Sequence, residues 1–449
     1  MLNRIFNRSN TYWVAGYYTL FNLSSKAFGL FRNWFIAFLF GVSVYTDAFW
    51  AALLPIMFFK MTFGTALTNV IVPVYLENTK KQKQSILTYL STNLLFTFFL
   101  ICIIVINSKV ILKIFTPGIS DEVLGISQHY IIMLSPLISI LALIDLCMSL
   151  LAANGEYFKS AVLNFLISLS LVLFMFVFYF DKAVLLPLST LLANALVAGI
   201  GVIWLKAKLY IARIDLKMSK TIFVLAIPVM ISSGIENISH FIDKFLASFL
   251  ETGSLTLLSY SLVLQEVILA GLVGPVVSIY FPKISKMIIQ SENISRLSIK
   301  TNFYLNLIIS VILLIFTYIG FPVVKLVFIR LEENQIKIIF SLAILLIFNV
   351  GWIAGKLILS KIYYCHYNTS ILSAINIIGL ITNAILGYLF VNYYGLNGIV
   401  YATIISTIVS TAIYTMIAIK KNYISAAIIY SFIPLIVVGA ILFLFSSLF

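Results

Sequence analysis

The chain has 449 residues, of which 62% are hydrophobic and 10% are charged, and its formal net charge is +14. Soluble domains are about 45–50% apolar and about 25% charged, so the composition excludes an ordinary soluble protein. Apolar runs of about 20 residues, each long enough to cross a bilayer, recur along the chain and predict an all-α polytopic membrane protein. Because Lys and Arg are retained on the cytoplasmic side of such proteins, the basic excess does not indicate a nucleic-acid partner.

The apolar runs predict about thirteen transmembrane helices. They cover approximately residues 12–41, 48–76, 86–107, 128–153, 160–180, 183–205, 221–250, 255–282, 301–322, 337–362, 370–392, 396–418 and 424–448. Connections on one predicted side hold 18 Lys or Arg residues, and those on the other side hold 6. This bias places the N-terminus in the cytoplasm. The first apolar segment has no cleavable signal pattern and is expected to be a retained helix.

Two halves of the sequence resemble each other across the basic run from Lys206 to Lys220. The pattern Arg32-x8-Gly41-x-Ser43 in the first half parallels Lys244-x8-Gly253-Ser254 in the second. The connection that ends at Asn164 likewise resembles the one that ends at Asn376. The alternative is a chance similarity among Ile- and Leu-rich helices.

The repeat predicts a domain organisation. We expect an N-terminal six-helix lobe at residues 1–214, a C-terminal six-helix lobe at 215–421 and an extra helix at 422–449. Six spans per lobe give both lobes the same orientation, so they are parallel repeats about an axis along the membrane normal. A site is then expected in a central cavity between them.

Four charged residues lie in or beside the first two spans. Lys26 and Arg32 lie on the first span, Asp47 begins the second, and Lys60 lies in its middle. A charge at bilayer depth costs at least a few kcal/mol and normally faces a polar interior. Arg binds phosphate in bidentate fashion and Lys adds a point charge, so the set suits a diphosphate. A loosening of the helix at Gly29 would let Lys26 and Arg32 reach one space.

Structural alternatives exist for the same four residues. Lys26 and Arg32 could each pair with a structural carboxylate, and Asp47 is the first candidate for that partner. Lys60 lies too deep to reach the membrane interface, so it must face either the cavity or a partner. Asp47 itself could cap the second span or act as its first-turn acid. It could also face Arg32 as a gate.

The seventh span holds a second polar cluster. Glu236, His240 and Lys244 are spaced i, i+4, i+8 on one helical face, and Asp243 flanks that face. A carboxylate beside His at bilayer depth can bind a coupling ion or a proton, whereas the alternative is a ladder of internal ion pairs. Glu266 in the eighth span is a further acid and a candidate partner for Lys244.

No enzyme motif is present. The sequence contains no Gly-rich phosphate-binding loop with a Lys, no GxSxG and no HExxH. The three cysteines lie in or beside apolar segments without paired spacing, which indicates neither a disulfide framework nor a metal site. We therefore expect no enzymatic activity and no cofactor other than a coupling ion.

A resemblance to a known family is carried by two stretches. SKAFGLFRNWFIAFLFGVSVYTDAFWAALLP, followed by FGTALTNVIVPVY, resembles the first two helices of the MurJ/MviN lipid II flippases. FLASFLETGSLTLLSYSLVLQE and the later FPKISK resemble their seventh and eighth helices. These proteins belong to the superfamily of multidrug, oligosaccharidyl-lipid and polysaccharide exporters. The resemblance implies an alternating-access transporter for undecaprenyl-diphosphate-linked sugars of the cell wall, in the bacterial cytoplasmic (inner) membrane.

The resemblance also assigns roles to residues of this chain. The basic cavity residues of the family fall on Lys26, Arg32 and Lys60, and its acid on the second helix falls on Asp47. Its basic residue on the eighth helix is replaced by Val263, and one helix follows the twelve-span core where the family usually has two. Some members resemble a sodium-coupled design, for which this chain offers Asp243, either Asn376 or Asn383, and either Thr403 or Thr407.

Our sequence-based hypothesis is a flippase for lipid II or a related polyprenyl-diphosphate glycan, reset by membrane potential, Na+ or H+. Expected partners are that glycan, membrane lipids and glycan-synthesis enzymes, with the protein itself a monomer. The alternatives are an O-antigen or capsule flippase, a cation-coupled drug exporter of the same fold, or a membrane scaffold.

Overall fold

The computed structural model describes residues 11–64, 96–178, 182–205, 220, 224, 226–227, 230, 238, 241–366 and 368–444. Helices are the only regular secondary structure among these residues. By their internal contacts they form two compact units. The first unit runs to Ile36 and continues from Ser43 to Phe241, and the second contains Ala37–Val42 and everything from Ile242 onward. The predicted lobe boundary at 214/215 lies outside the described residues and stays a prediction.

The first unit consists of eight labelled helices and one π-helical turn, which follows α2. They are α1 (Thr11–Phe40, whose last turn belongs to the second unit), α2 (Val44–Phe59), the first π-turn (Lys60–Gly64), α3 (Phe96–Ile106), α4 (Ser108–Phe115), α5 (Asp121–Leu134), α6 (Leu137–Ala153), α7 (Tyr157–Val177) and α8 (Lys182–Trp204). Its apolar core includes a cluster of α6, α7 and α8 around the buried Cys147.

The second unit has a similar order of elements. Its helices are a segment at 241–247 (whose first residue belongs to the first unit), α9 (Ser254–Ile268), the second π-turn (Leu269–Val273), α10 (Gly274–Ile289), α11 (Ser295–Val327), α12 (Glu333–Cys365), α13 (Thr369–Lys420), a 3-10 helix (Ala426–Phe432) and α14 (Ile433–Leu444). One cluster in its core joins α10, α11, α12 and α13. The C-terminal elements dock onto this unit, because Asn302 donates a 2.7 Å hydrogen bond to Ser431 and Phe432 stacks on Trp352.

The lengths of the helices agree with a multi-pass membrane protein. Seven helices in the described residues are long and apolar enough to cross a bilayer, or up to nine if each of two bent helix pairs is one span. The bent pairs are α3 with α4, at 89°, and α5 with α6, at 45°. The total of thirteen spans stays a prediction.

Helix α13 consists of two antiparallel arms. Gly395 has a left-handed φ of 54° that interrupts the helix. A Cβ at Gly387 would lie 3.8 Å from Ala402, and Tyr414 donates a hydrogen bond to the carbonyl of Leu372. These contacts pair early residues of one arm with late residues of the other. The predicted eleventh and twelfth spans, 370–392 and 396–418, are therefore separate arms.

Candidate functional site

Helix α1 carries the first two predicted substrate-binding cations. Its backbone is helical without a break from Thr11 to Phe40, so the predicted loosening at Gly29 is not observed. The Gly29 carbonyl instead accepts a 2.9 Å hydrogen bond from the side chain of Asn33. Arg32 is half-buried, whereas the side chain of Lys26 lies outside the described part of the structure.

Asp47 is held in the first turn of α2. Gly41 has a φ of 62°, and Ser43 then caps the helix. The Ser43 hydroxyl accepts a hydrogen bond from the backbone N–H of Thr46, whose hydroxyl accepts one from the N–H of Ser43. Ser43 is therefore the N-cap, and Asp47 is the buried first-turn acid. The partial positive charge of the helix N-terminus favours its carboxylate there.

Lys60 forms an ion pair that the sequence interpretation missed. Its Nζ lies 2.6 Å from Oδ2 of Asp145 on α6, and the side chains are 18% and 22% exposed. Asp145 lies inside the predicted span 128–153, and an acid at that depth is in itself a signal of a paired or functional group. The cation at Lys60 therefore has a carboxylate partner within the first unit.

The local backbone explains how Lys60 and Asp145 meet. Lys60 is the first residue of the first π-turn, a rare geometry that is frequent at functional sites. A Cβ on Gly64, at the end of this turn, would lie only 3.0 Å from the Cβ of Ala142 on α6. The glycine thus permits a close approach of the turn to α6.

The second unit brings three of the predicted ion-site residues together. The Asn383 amide donates a 3.1 Å hydrogen bond to Oδ1 of Asp243, and the Thr403 hydroxyl donates a 2.8 Å bond to the same oxygen. The Thr403 hydroxyl also lies 3.4 Å from Oδ1 of Asn383. Asp243 and Asn383 are buried, and they lie on the helical segment 241–247 and the first arm of α13.

The alternative ion-site residues lie elsewhere. Asn376 accepts a hydrogen bond from Tyr414, and the Thr407 hydroxyl donates to the backbone carbonyl of Thr403. Glu266 is exposed on α9 and forms no ion pair among the described residues, so the predicted pair with Lys244 is not observed.

Glu236 and His240 lie outside the described residues, and their assignment stays a prediction.

The chemistry of the Asp243 cluster fits a hard cation. A carboxylate, an amide carbonyl and a hydroxyl are oxygen ligands of the kind that hard cations prefer. Within the described residues, no three His, Cys, Asp or Glu side chains come together as a metal site. As a set of oxygen ligands, the cluster would suit Na+ better than a transition metal that prefers nitrogen and sulfur ligands.

Comparison with known proteins identifies the family. The family model described as "Lipid II flippase MurJ" matches residues 36–449. A relative from Buchnera aphidicola subsp. Schizaphis graminum, named probable lipid II flippase MurJ, is 25% identical over an alignment of 408 residues, and the alignment covers 85% of this chain and 78% of that one.

Two solved structures share the fold. Lipid II flippase MurJ in an inward closed conformation matches with a TM-score of 0.80 at 18% identity, over 96% of this chain and 99% of that one. An inward-facing multidrug resistance MATE family transporter of the MOP superfamily matches with a TM-score of 0.68 at 14% identity, over 94% and 96%. The family match extends over most of the sequence, and the chain therefore belongs to the MurJ family of lipid II flippases.

Proposed function

We propose that this protein is a flippase that moves lipid II, or a related polyprenyl-diphosphate-linked glycan, across the cytoplasmic membrane. The match of the MurJ family model to residues 36–449 carries this proposal. A relative named probable lipid II flippase, similar over 85% of the chain, supports it. The function is transport rather than enzymatic catalysis.

The cations of the first unit are the proposed contacts of the diphosphate. Arg32 would grip phosphate oxygens in bidentate fashion, and Lys26 and Lys60 would add point charges. Asp47 would orient these cations. The partial exposure of Lys60 supports its part, because a side chain that is 18% exposed is not sealed within the helix packing.

Transport would proceed by alternating access of two lobes that are parallel repeats of six helices, within a chain of about thirteen spans. The correspondence of elements supports the repeat. When the first residue of α5, Asp121, is aligned with the first residue of α12, Glu333, the last residues of α6 and α12 also align, at Ala153 and Cys365. A glycine with left-handed backbone precedes each of α2 and α9, at Gly41 and Gly253, and a π-turn follows each of these helices.

The lobe boundaries would be those expected from the sequence. They are 1–214 for the first lobe and 215–421 for the second, with the extra helix at 422–449.

A coupling cation would be held by Asp243, Asn383 and Thr403. When bound, it would supply a positive charge next to a buried carboxylate. The chain itself would hold the carboxylate in place through the hydroxyl of Thr403 and the amide of Asn383, both donors to one oxygen. The membrane potential could act on the same charges, at about 2.3 kcal/mol per elementary charge per 100 mV.

The proposed location is the bacterial cytoplasmic membrane, with the N-terminus inside, and the working form is a monomer that associates with glycan-synthesis enzymes. The uneven distribution of Lys and Arg among the connections supports this orientation.

The experiment is flipping of a fluorescent lipid II in proteoliposomes. Arg32→Ala should lose most of the activity, because it removes the bidentate phosphate contact. Lys337→Ala is the control, since among the described residues this exposed cation pairs only with the neighbouring exposed Glu333. Equal activity of Arg32→Ala and wild type would contradict the proposed substrate contact. Lipid-linked O-antigen and capsule precursors, tested in parallel, would define the glycan.

A further inference from the structure

The ion pair of Lys60 and Asp145 is an unusual way to pack two helices in a membrane. Both charges lie at predicted bilayer depth, only 2.6 Å apart, and both side chains are about one-fifth exposed. Replacing a buried ion pair by apolar side chains of similar size is often neutral or stabilising, because the charges no longer have to be desolvated. Packing alone therefore does not account for this pair.

The second unit provides an internal comparison. Its π-turn begins at Leu269, where the first π-turn begins at Lys60. The alignment that matches the ends of α6 and α12 places Leu357 opposite Asp145. Leu269 and Leu357 both pack against one apolar cluster, and the second π-turn contacts α12. At the matched positions the second unit thus has leucines where the first unit has an ion pair.

We propose that Asp145 is an internal counter-anion: its carboxylate pairs with the ammonium group of Lys60 when no substrate is bound, and the diphosphate of the substrate displaces it. This inference rests on the proposed function. A carboxylate and a phosphate offer the same kind of anionic oxygen to an ammonium group, so they compete for one cation. In the empty transporter, Asp145 thereby neutralises a cation that would otherwise be unpaired in the membrane. It also helps to release the substrate, because its carboxylate pairs with Lys60 again as the diphosphate leaves.

The first test measures binding of undecaprenyl diphosphate in detergent micelles, with undecaprenol as the ligand that lacks phosphate. Asp145→Asn should bind the diphosphate about three- to tenfold more tightly than wild type. In wild type, the apparent affinity is lowered because Lys60 is paired with Asp145 in part of the molecules and is then not available to the ligand. Asp145→Glu keeps the carboxylate and should bind like wild type. In a Lys60→Leu background, Asp145→Asn should give no gain, because the two residues act through one contact.

The second test uses the wild-type protein and needs no variant to fold. A carbodiimide should join Lys60 to Asp145 by an amide bond, since the amine and the carboxylate are in contact. Mass spectrometry should find this cross-link reduced several-fold by undecaprenyl diphosphate and unchanged by undecaprenol.

The outcomes separate this inference from the proposed function. Three outcomes would each contradict the role of Asp145 as a counter-anion, even if the wild type binds the diphosphate. They are an unchanged or weaker affinity of Asp145→Asn, a gain in affinity that persists in the Lys60→Leu background, and a cross-link yield that the diphosphate does not change. Absence of diphosphate-dependent binding by wild type would overturn the proposed function, and this inference with it.

Discussion

Substitution of Gly253, which precedes α9, tests the packing of the second unit quantitatively. Gly253 has a φ of +102°, and a Cβ there would lie 2.5 Å from Cγ1 of Val42. An L-residue in left-handed backbone costs about 1–2 kcal/mol, and overpacking against a branched side chain costs about 1–3 kcal/mol more. Gly253→Ala should therefore lower the free energy of unfolding by about 2–5 kcal/mol.

Two other glycines separate these contributions. Gly155 has a φ of +79° but no atom within 4 Å of its Cβ position, so Gly155→Ala should cost only the backbone part, about 1–2 kcal/mol. Gly125 is helical and equally open, so Gly125→Ala should stabilise by about 0.5–1 kcal/mol. The assay is reversible unfolding in mixed detergent micelles. A loss for Gly253→Ala no greater than for Gly155→Ala would refute the contact with Val42.

Two further predictions concern the polar groups of the second unit. Thr403→Val removes the 2.8 Å hydrogen bond to the Asp243 carboxylate and should cost about 1.5–3 kcal/mol in the same unfolding assay, with a loss of any stabilisation by NaCl relative to KCl. Thr407→Val, which loses only a bond to a backbone carbonyl, is the control, and an equal loss of the NaCl effect in it would contradict the assignment. His366 follows α12, and its pKa is lowered from the ordinary 6.5 by burial and then by the charge of Lys421. As the pH falls, the unfolded chain binds a proton at His366 at a higher pH than the folded chain does. The free energy of unfolding should therefore fall as the pH drops below about 6.5. His366→Gln should reduce the loss of melting temperature between about pH 7.5 and about pH 5.5, and an undiminished loss would refute this contribution.

The sequence was sufficient to predict those structural features that depend only on residues close together in the chain. Asp47 was expected as a cap or first-turn acid, and it lies in the first turn of α2 because Ser43 and Thr46 form the capping box before it. The separation of the eleventh and twelfth spans was likewise predictable, because Gly395 interrupts the apolar run. Such features follow from local backbone preferences, which periodicity and turn residues reveal.

The choice between paired candidates could not be predicted. Asn376 and Asn383 lie on the same face of a helix, two turns or about 10.5 Å apart along its axis. Thr403 and Thr407 are similarly related by one turn. Which of each pair reaches Asp243 depends on how far the helices are shifted along each other. Only the structure gives this shift, and it brings Asn383 and Thr403 to the carboxylate.

The partner of Lys60 required the same kind of information. Asp145 is distant from Lys60 in the chain, and their contact depends on the π-turn and on the close approach of Gly64 to Ala142. Neither a π-turn nor a contact between two helices produces a periodic pattern in the sequence from which it could be predicted. The detectable signal was the presence of an acid within an apolar span, which was sufficient to predict a partner but not to identify it.

Aligning the proposed repeats shows that the two units differ in polarity at matched positions. Lys60 corresponds to Leu269 when the starts of the two π-turns are aligned. In the register that pairs Arg32 with Lys244, Asp145 corresponds to Leu357 and Asp243 to Phe31. At these positions each unit places charge where the other has hydrocarbon, although both keep the same order of helices.

Because the other unit keeps the same order of helices without each set of charges, the proposed function explains their positions by what each unit would bind. A basic π-turn in the first unit suits an anionic substrate, and the buried carboxylate of Asp243 in the second suits a cation. Because the two ligands use different charged groups, neither neutralises the site of the other. Under the proposed function, this separation is what cation-driven export of a diphosphate would need.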